Sequence, residues 1–133
     1  MSYRLLELPN TVIADLEVSD SLYVLIFSDA LIIKVMDAAK QRTRWRQSGS
    51  IIVKGSFSDS VEHLNIKCPV KIRSGEFQDN VFVYYNTIRL PCHVYGDVAI
   101  RTSFDGIEKP LEISGEEIEV VLEGEPKYIK HIN

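Results

Sequence analysis

Residues 65–73 set apolar and polar side chains in alternation, with Ile66, Cys68, Val70 and Ile72 on one side and Asn65, Lys67, Pro69, Lys71 and Arg73 on the other. Successive side chains of an extended chain point to opposite faces. A period of two therefore describes a strand with one face on a core and one in water. Pro69 has no N–H to give to a neighbour, which puts this segment at a sheet edge or a bulge. Residues 117–123 repeat the pattern, with Ile118, Val120 and Leu122 inward and Glu117, Glu119 and Glu123 outward. Residues 11–18 do so less cleanly: Val12, Ala14, Leu16 and Val18 share one face, and Ile13 intrudes on the other.

Two segments break the alternation. Residues 22–27 (LYVLIF) and 81–85 (VFVYY) are apolar on both faces, as expected of strands that are central in a sheet or meet a partner. Turn signals punctuate the chain at Ser19–Asp20, Ser28–Asp29, Ser74–Gly75, Asp79–Asn80, Asp105–Gly106 and Ser114–Gly115. Among them Asp105–Gly106 is the strongest hairpin signal. About eight or more short strands at this spacing predict an all-β fold, either an antiparallel β-sandwich or a partly closed β-barrel. At most one short helix is expected, near 37–46, where Asp37 can act as a cap; a loop is the alternative there.

A chain of 133 residues with 45% apolar and 26% charged side chains has the size and composition of one globular domain, so residues 1–133 are read as a single unit. The opening MSYRLLELPN lacks a long apolar stretch, and no run approaches the roughly 18 apolar residues of a membrane span. A cytoplasmic protein without membrane contact is the expectation. Cys68 and Cys92 match neither a disulfide framework nor a metal knuckle and are read as reduced core thiols.

Catalytic chemistry needs groups that converge. Opposite the core side of residues 92–101 lie His93, Tyr95, Asp97 and Arg101, provided no bulge intervenes. This polar row is a candidate binding face. Four residues of strand span about 13 Å, so Asp97 cannot orient His93 directly, and any partner of His93 must come from a neighbouring strand. No catalytic residue is assigned. His63, His93 and His131 are scattered, and the seven glycines form no phosphate loop, so neither a metal site nor a cofactor is expected.

Charge is distributed unevenly. Lys40, Arg42, Arg44 and Arg46 surround Trp45 with no acid among them, a candidate basic patch that could grip phosphates. If that segment is extended, the three arginines share one face and Trp45 takes the other. Residues 105–125 hold eight acids and one base, Lys109, with Glu117, Glu119 and Glu123 as a candidate acidic face. A net charge of −4 argues against general nucleic-acid affinity.

Three functions fit this pattern. One is a non-catalytic module that binds a protein, including a second copy of itself. Another is a small ligand-binding barrel or enzyme using His93, Tyr95 and Asp97. The third is nucleic-acid binding through Lys40–Arg46. The first fits best, because two doubly apolar strands and a bipolar surface suit a scaffold that works by contact.

Overall fold

A computed structural model describes residues 3–36, 41–55 and 66–132. The regular structure among them consists of eight strands: β1 (Tyr3–Val18), β2 (Leu22–Met36), β3 (Gln41–Lys54), β4 (Val70–Asp79), β5 (Phe82–Tyr85), β6 (Thr87–Leu90), β7 (His93–Phe104) and β8 (Leu111–Ile132). They form one antiparallel sheet in the order β5-β4-β7-β8-β3-β2-β1-β6. β4 also pairs with β1, through Val12–Lys71 and Ile13–Val70. That pairing joins β1, β2, β3, β8, β7 and β4 into a ring and leaves β5 and β6 as the two ends of the sheet. The chain is thus all-β, as the alternation predicts, and its single sheet closes partly into a ring, in keeping with the two architectures left open by the sequence.

The ring closes around an apolar core. Leu25, Phe27, Ile51, Val53, Ile72, Ile100, Phe104, Ile113 and Ile118 are all essentially inaccessible to water, and burying each of these side chains contributes about 1.5–3 kcal/mol. Val120 and Leu122 pack partly buried against them, and Glu117, Glu119 and Glu123 point outward, in the parity expected for 117–123.

In β1 the parity differs from the expectation. Ile13 is fully buried, whereas Val12 is half-buried and Ala14 exposed. The register against β2 shifts on both sides of Val12 and again between Ile13 and Asp15, and each slip of one residue turns the following side chains to the opposite face. The Thr11 hydroxyl, itself buried, donates to the Glu7 carbonyl at 2.7 Å and holds the bend together.

Residues 41–46 are strand rather than helix, because β2 and β8 flank them and bond to both edges. A single short helix without a capping box cannot match two ladders of hydrogen bonds. Residues 37–40, including Asp37 and Lys40, lie outside the described residues.

Three turn signals fall inside strands. Ser28–Asp29 and Ser74–Gly75 sit at register shifts in β2 and β4, and Ser114–Gly115 lies within β8. Gly115 is required by proximity: a Cβ there would meet the Lys54 carbonyl oxygen and the Val53 side chain, each at 2.6 Å. Asp105–Gly106 does turn the chain, but as part of the longer β7–β8 connection of residues 105–110.

One asparagine organises the two sheet ends. Asn86 adopts a φ of 63°, a conformation asparagine tolerates better than most residues. Its carbonyl accepts from Leu8 N–H at 2.9 Å, and its N–H donates to the Gly75 carbonyl at 2.8 Å. Its side-chain oxygen accepts from Gly75 N–H at 2.9 Å. Asn86 therefore stitches β1 to β4 where the two part. β5 follows β4 away from this point, and β6 follows β1.

Candidate functional site

The polar row foreseen on β7 divides at a bulge. His93 and Tyr95 pair with Glu119 and Glu117 of β8, then the register shifts before Val98. His93 Nε2 lies 2.6 Å from Glu117 Oε2, and Nδ1 lies 3.5 Å from Glu119 Oε2. The partners of His93 thus come from the adjacent strand, as the strand geometry requires. The hydrogen bond from His93 holds the Glu117 carboxyl below its ordinary range, aided by the charge of Lys54 at 3.9 Å. The His93 ring also lies against Tyr95, with centroids 4.8 Å apart.

Asp97 does not join this group. It belongs to the bulge, where its N–H donates to Asn80 Oδ1 at 2.9 Å and its carbonyl accepts from Asn80 N–H at 2.8 Å. Asn80 Nδ2 in turn donates to the Tyr95 carbonyl at 3.1 Å. Gly96, at φ 119°, leaves the space this amide fills, since a Cβ there would collide with Asn80 Oδ1. Arg101, beyond the bulge, is held by Glu112 at 3.2 Å, Glu76 at 3.6 Å and Gln78 at 3.1 Å. The expected row of four is therefore a His93–Tyr95 pair, a turn clasp and a separate arginine cluster.

The basic and acidic segments share one ladder without meeting. Arg42–Arg46 pair with residues 127–132 of β8, whereas Glu117, Glu119 and Glu123 pair with Lys54, Ile52 and Ser48. Trp45 faces inward, packs partly buried against the core, touches Tyr128 edge-on at 5.2 Å and donates to Thr43 at 2.8 Å. Its indole is an anchor in this arrangement. Arg44 and Arg46 turn outward, 3.6 Å from Glu7 and 2.9 Å from Asp29 respectively.

The most exposed apolar element is β5. Residues 81–85 range from 43% exposed at Val83 to 86% at Val81. Among the described residues only β4 pairs with the strand, from Phe82–Asp79 to Tyr85–Glu76. On the inner side Tyr84 stacks on Phe77 at 6.1 Å, beside a cleft of about 250 Å³ that reaches Leu90 and Pro91. The Asn80 clasp fixes the preceding turn to β7, so the edge is presented on a firm base. The doubly apolar run 81–85 signalled a need for cover, but its position at an edge was not visible in the pattern.

Both cysteines are free thiols. Cys92 is buried, and desolvation pushes its pKa up to about 11, which suits packing and opposes nucleophilic use. Cys68 is half-buried against the core. Among the described residues no cluster of His, Cys, Asp and Glu is placed to hold a metal, and no helix is long and apolar enough to cross a membrane. Comparison of the chain with protein-family models, with curated proteins and with solved structures finds no match.

Proposed function

We propose that this protein is a self-associating β-module, in which two copies join their sheets edge to edge through β5 and the protein acts by contact rather than by catalysis. The observation that carries this reading is the open edge itself. An uncharged, apolar edge strand with free ladder positions is a template for another strand, and proteins that avoid pairing place charge or proline there. Residues 80–86, Asn-Val-Phe-Val-Tyr-Tyr-Asn, contain neither.

The same seven residues also favour a second copy as the occupant. Antiparallel pairing about a two-fold axis centred on Val83 sets Phe82 against the partner copy's Tyr84 on one face. It sets Val83 against its own equivalent, and Val81 against Tyr85, on the other. Asn80 meets Asn86 at the ends. Every position thus finds an aromatic, β-branched or uncharged polar counterpart, the kinds of cross-strand pair that stabilise sheets, and no like charges meet. Seven residues per copy fall short of the roughly 20–30 a side of a standard stable complex, so the dimer is expected to be weak.

Sedimentation equilibrium across micromolar to millimolar protein tests this. The wild type should move from monomer to dimer mass, and Val83→Lys, which places two ammonium groups face to face at the axis, should remain monomeric with an unchanged circular dichroism spectrum. A monomer mass throughout, or a dimer indifferent to Val83→Lys, overturns the reading.

A further inference from the structure

The outward face at the far end of the β3–β8 ladder carries a charge arrangement that strand pairing by itself disfavours. Arg44 stands directly opposite Lys130, and Arg46 directly opposite Lys127. Like charges at directly opposed positions destabilise a sheet, yet here two such pairs follow one another. The register shift between Arg44 and Arg46 adds to the crowding, because the extra residue of β8, Ile129, sits between the pairs and lines the same depression as Lys130.

That depression is a cleft of about 430 Å³. Arg44, Arg46, Lys71 and Lys130 reach it, against a single carboxylate among the described lining residues, Asp29, which Arg46 engages at 2.9 Å. Lys71 arrives from β4 through the pairing with Val12 that closes the ring, so the cations come from three strands, β3, β4 and β8. Val12 and Leu31 supply apolar floor. Glu7 approaches Arg44 only to 3.6 Å, and the buried Arg44 Nε has no hydrogen-bond acceptor among the described residues. A guanidinium desolvated on one edge and incompletely compensated is an unfavourable arrangement that a bound anion offsets.

We infer that this cleft binds a small phosphorylated molecule. Its volume falls within the range of ligand pockets, about 300–1,000 Å³. A phosphate accepts from guanidinium forks and ammonium groups at once, which relieves the Arg44–Lys130 opposition instead of merely tolerating it. A nucleic-acid strand fits less well: the cations converge on one cleft, and the same ladder continues into Glu123, Glu119 and Glu117. This site is separate from the β5 edge, and neither proposal depends on the other.

Isothermal titration with inorganic pyrophosphate and with adenosine monophosphate, at low salt, tests the inference on the full chain. One equivalent of at least one of these should bind and raise the melting temperature. Lys130→Gln should weaken that binding by about tenfold or more, while the ligand-free protein melts at the same or a higher temperature, because the opposition with Arg44 is relieved. Lys109→Gln, an equal change of charge in the exposed 105–110 connection, should leave binding intact. If neither compound binds, or Lys109→Gln weakens binding as much as Lys130→Gln, the site does not exist. Tighter binding of a single-stranded oligonucleotide than of either small compound, with a steep salt dependence, replaces the inferred ligand with nucleic acid.

Discussion

β2 and β5 share a sequence signature and end in opposite surroundings. The first half of β2, Leu22–Phe27, lies between β1 and β3, with Tyr23, Leu25 and Phe27 buried and Leu22, Val24 and Ile26 half-covered. β5 has one neighbour among the described residues, and each of its own four residues is exposed. Apolarity on both faces therefore records a need for cover without stating whether the cover lies within the chain. The difference lies in the flanks. β2 runs on to Met36, long enough to be flanked through both halves, whereas β5 is confined between Asn80 and Asn86, both at positive φ. A strand of four residues between two such corners cannot extend into the ring.

The sharpest way to break this comparison is to truncate one aromatic in each strand. Phe27→Ala removes a ring that is 1% exposed and should lower unfolding free energy by about 3–5 kcal/mol. Tyr85→Ala removes a ring that is 68% exposed and should change it by less than about 0.5 kcal/mol. Denaturant titration of dilute monomer reads both. Equal losses would mean that β5 is packed as β2 is, and the open edge would be gone.

A smaller effect separates the strand from its support. Asn80→Ala deletes the amide that bonds to Tyr95 and Asp97 across the bulge. These bonds are exposed, so the loss should be about 1 kcal/mol. Amide exchange at 82–85 should quicken while exchange at 22–27 stays unchanged, because the clasp holds only the β4–β5 turn. Protection lost equally in both segments would make Asn80 part of the global fold instead of a local fastener.

These two strands also show how far the sequence could be read. The one-sided segments 65–73 and 117–123 were legible as faces, because burial on a single side leaves a direct record in side-chain type. The strand expected from 65 begins only at Val70, with the alternation carried through 66–69 outside the ladder and Asn65 outside the described residues. Residues 11–18 were not legible in this way, since the shifts around Val12 and Ala14 come from pairing with β2, and the intruding Ile13 marked an irregularity without saying which face it would join. Turn residues misled for a related reason: Ser28–Asp29 and Ser74–Gly75 mark irregularities within strands, where the same backbone freedom is used without reversing the chain. The partners of His93 were foreseeable only as belonging to another strand. Glu117 and Glu119 were visible as an outward acidic row, but placing them beside His93 required the β7–β8 register. The basic segment was legible as a face, with Trp45 opposite the arginines. What was missing was Lys130, the residue that turns a patch into a cleft.

The smallest expected effect concerns how the outer side of β2 is covered. Leu22, Lys54, Glu117 and Tyr95 form one cross-strand row over β2, β3, β8 and β7, and Val24, Ile52, Glu119 and His93 form the next. The half-covered apolar residues of β2 thus continue into paired charges, a continuation β5 lacks. Glu117 is held below its ordinary carboxylate range chiefly by His93. A carboxyl with a lowered folded-state pKa adds stability above its unfolded-state value and loses it as pH falls through the folded one. Melting temperatures of the wild type and Glu117→Gln should therefore differ most at neutral pH and converge on acidification through and below the ordinary carboxylate range. Exposure of His93 keeps the difference small. Val83→Lys, remote from these rows, should follow the wild-type curve. If Glu117→Gln also runs parallel to the wild type at every pH, the pairing contributes nothing to the cover of β2.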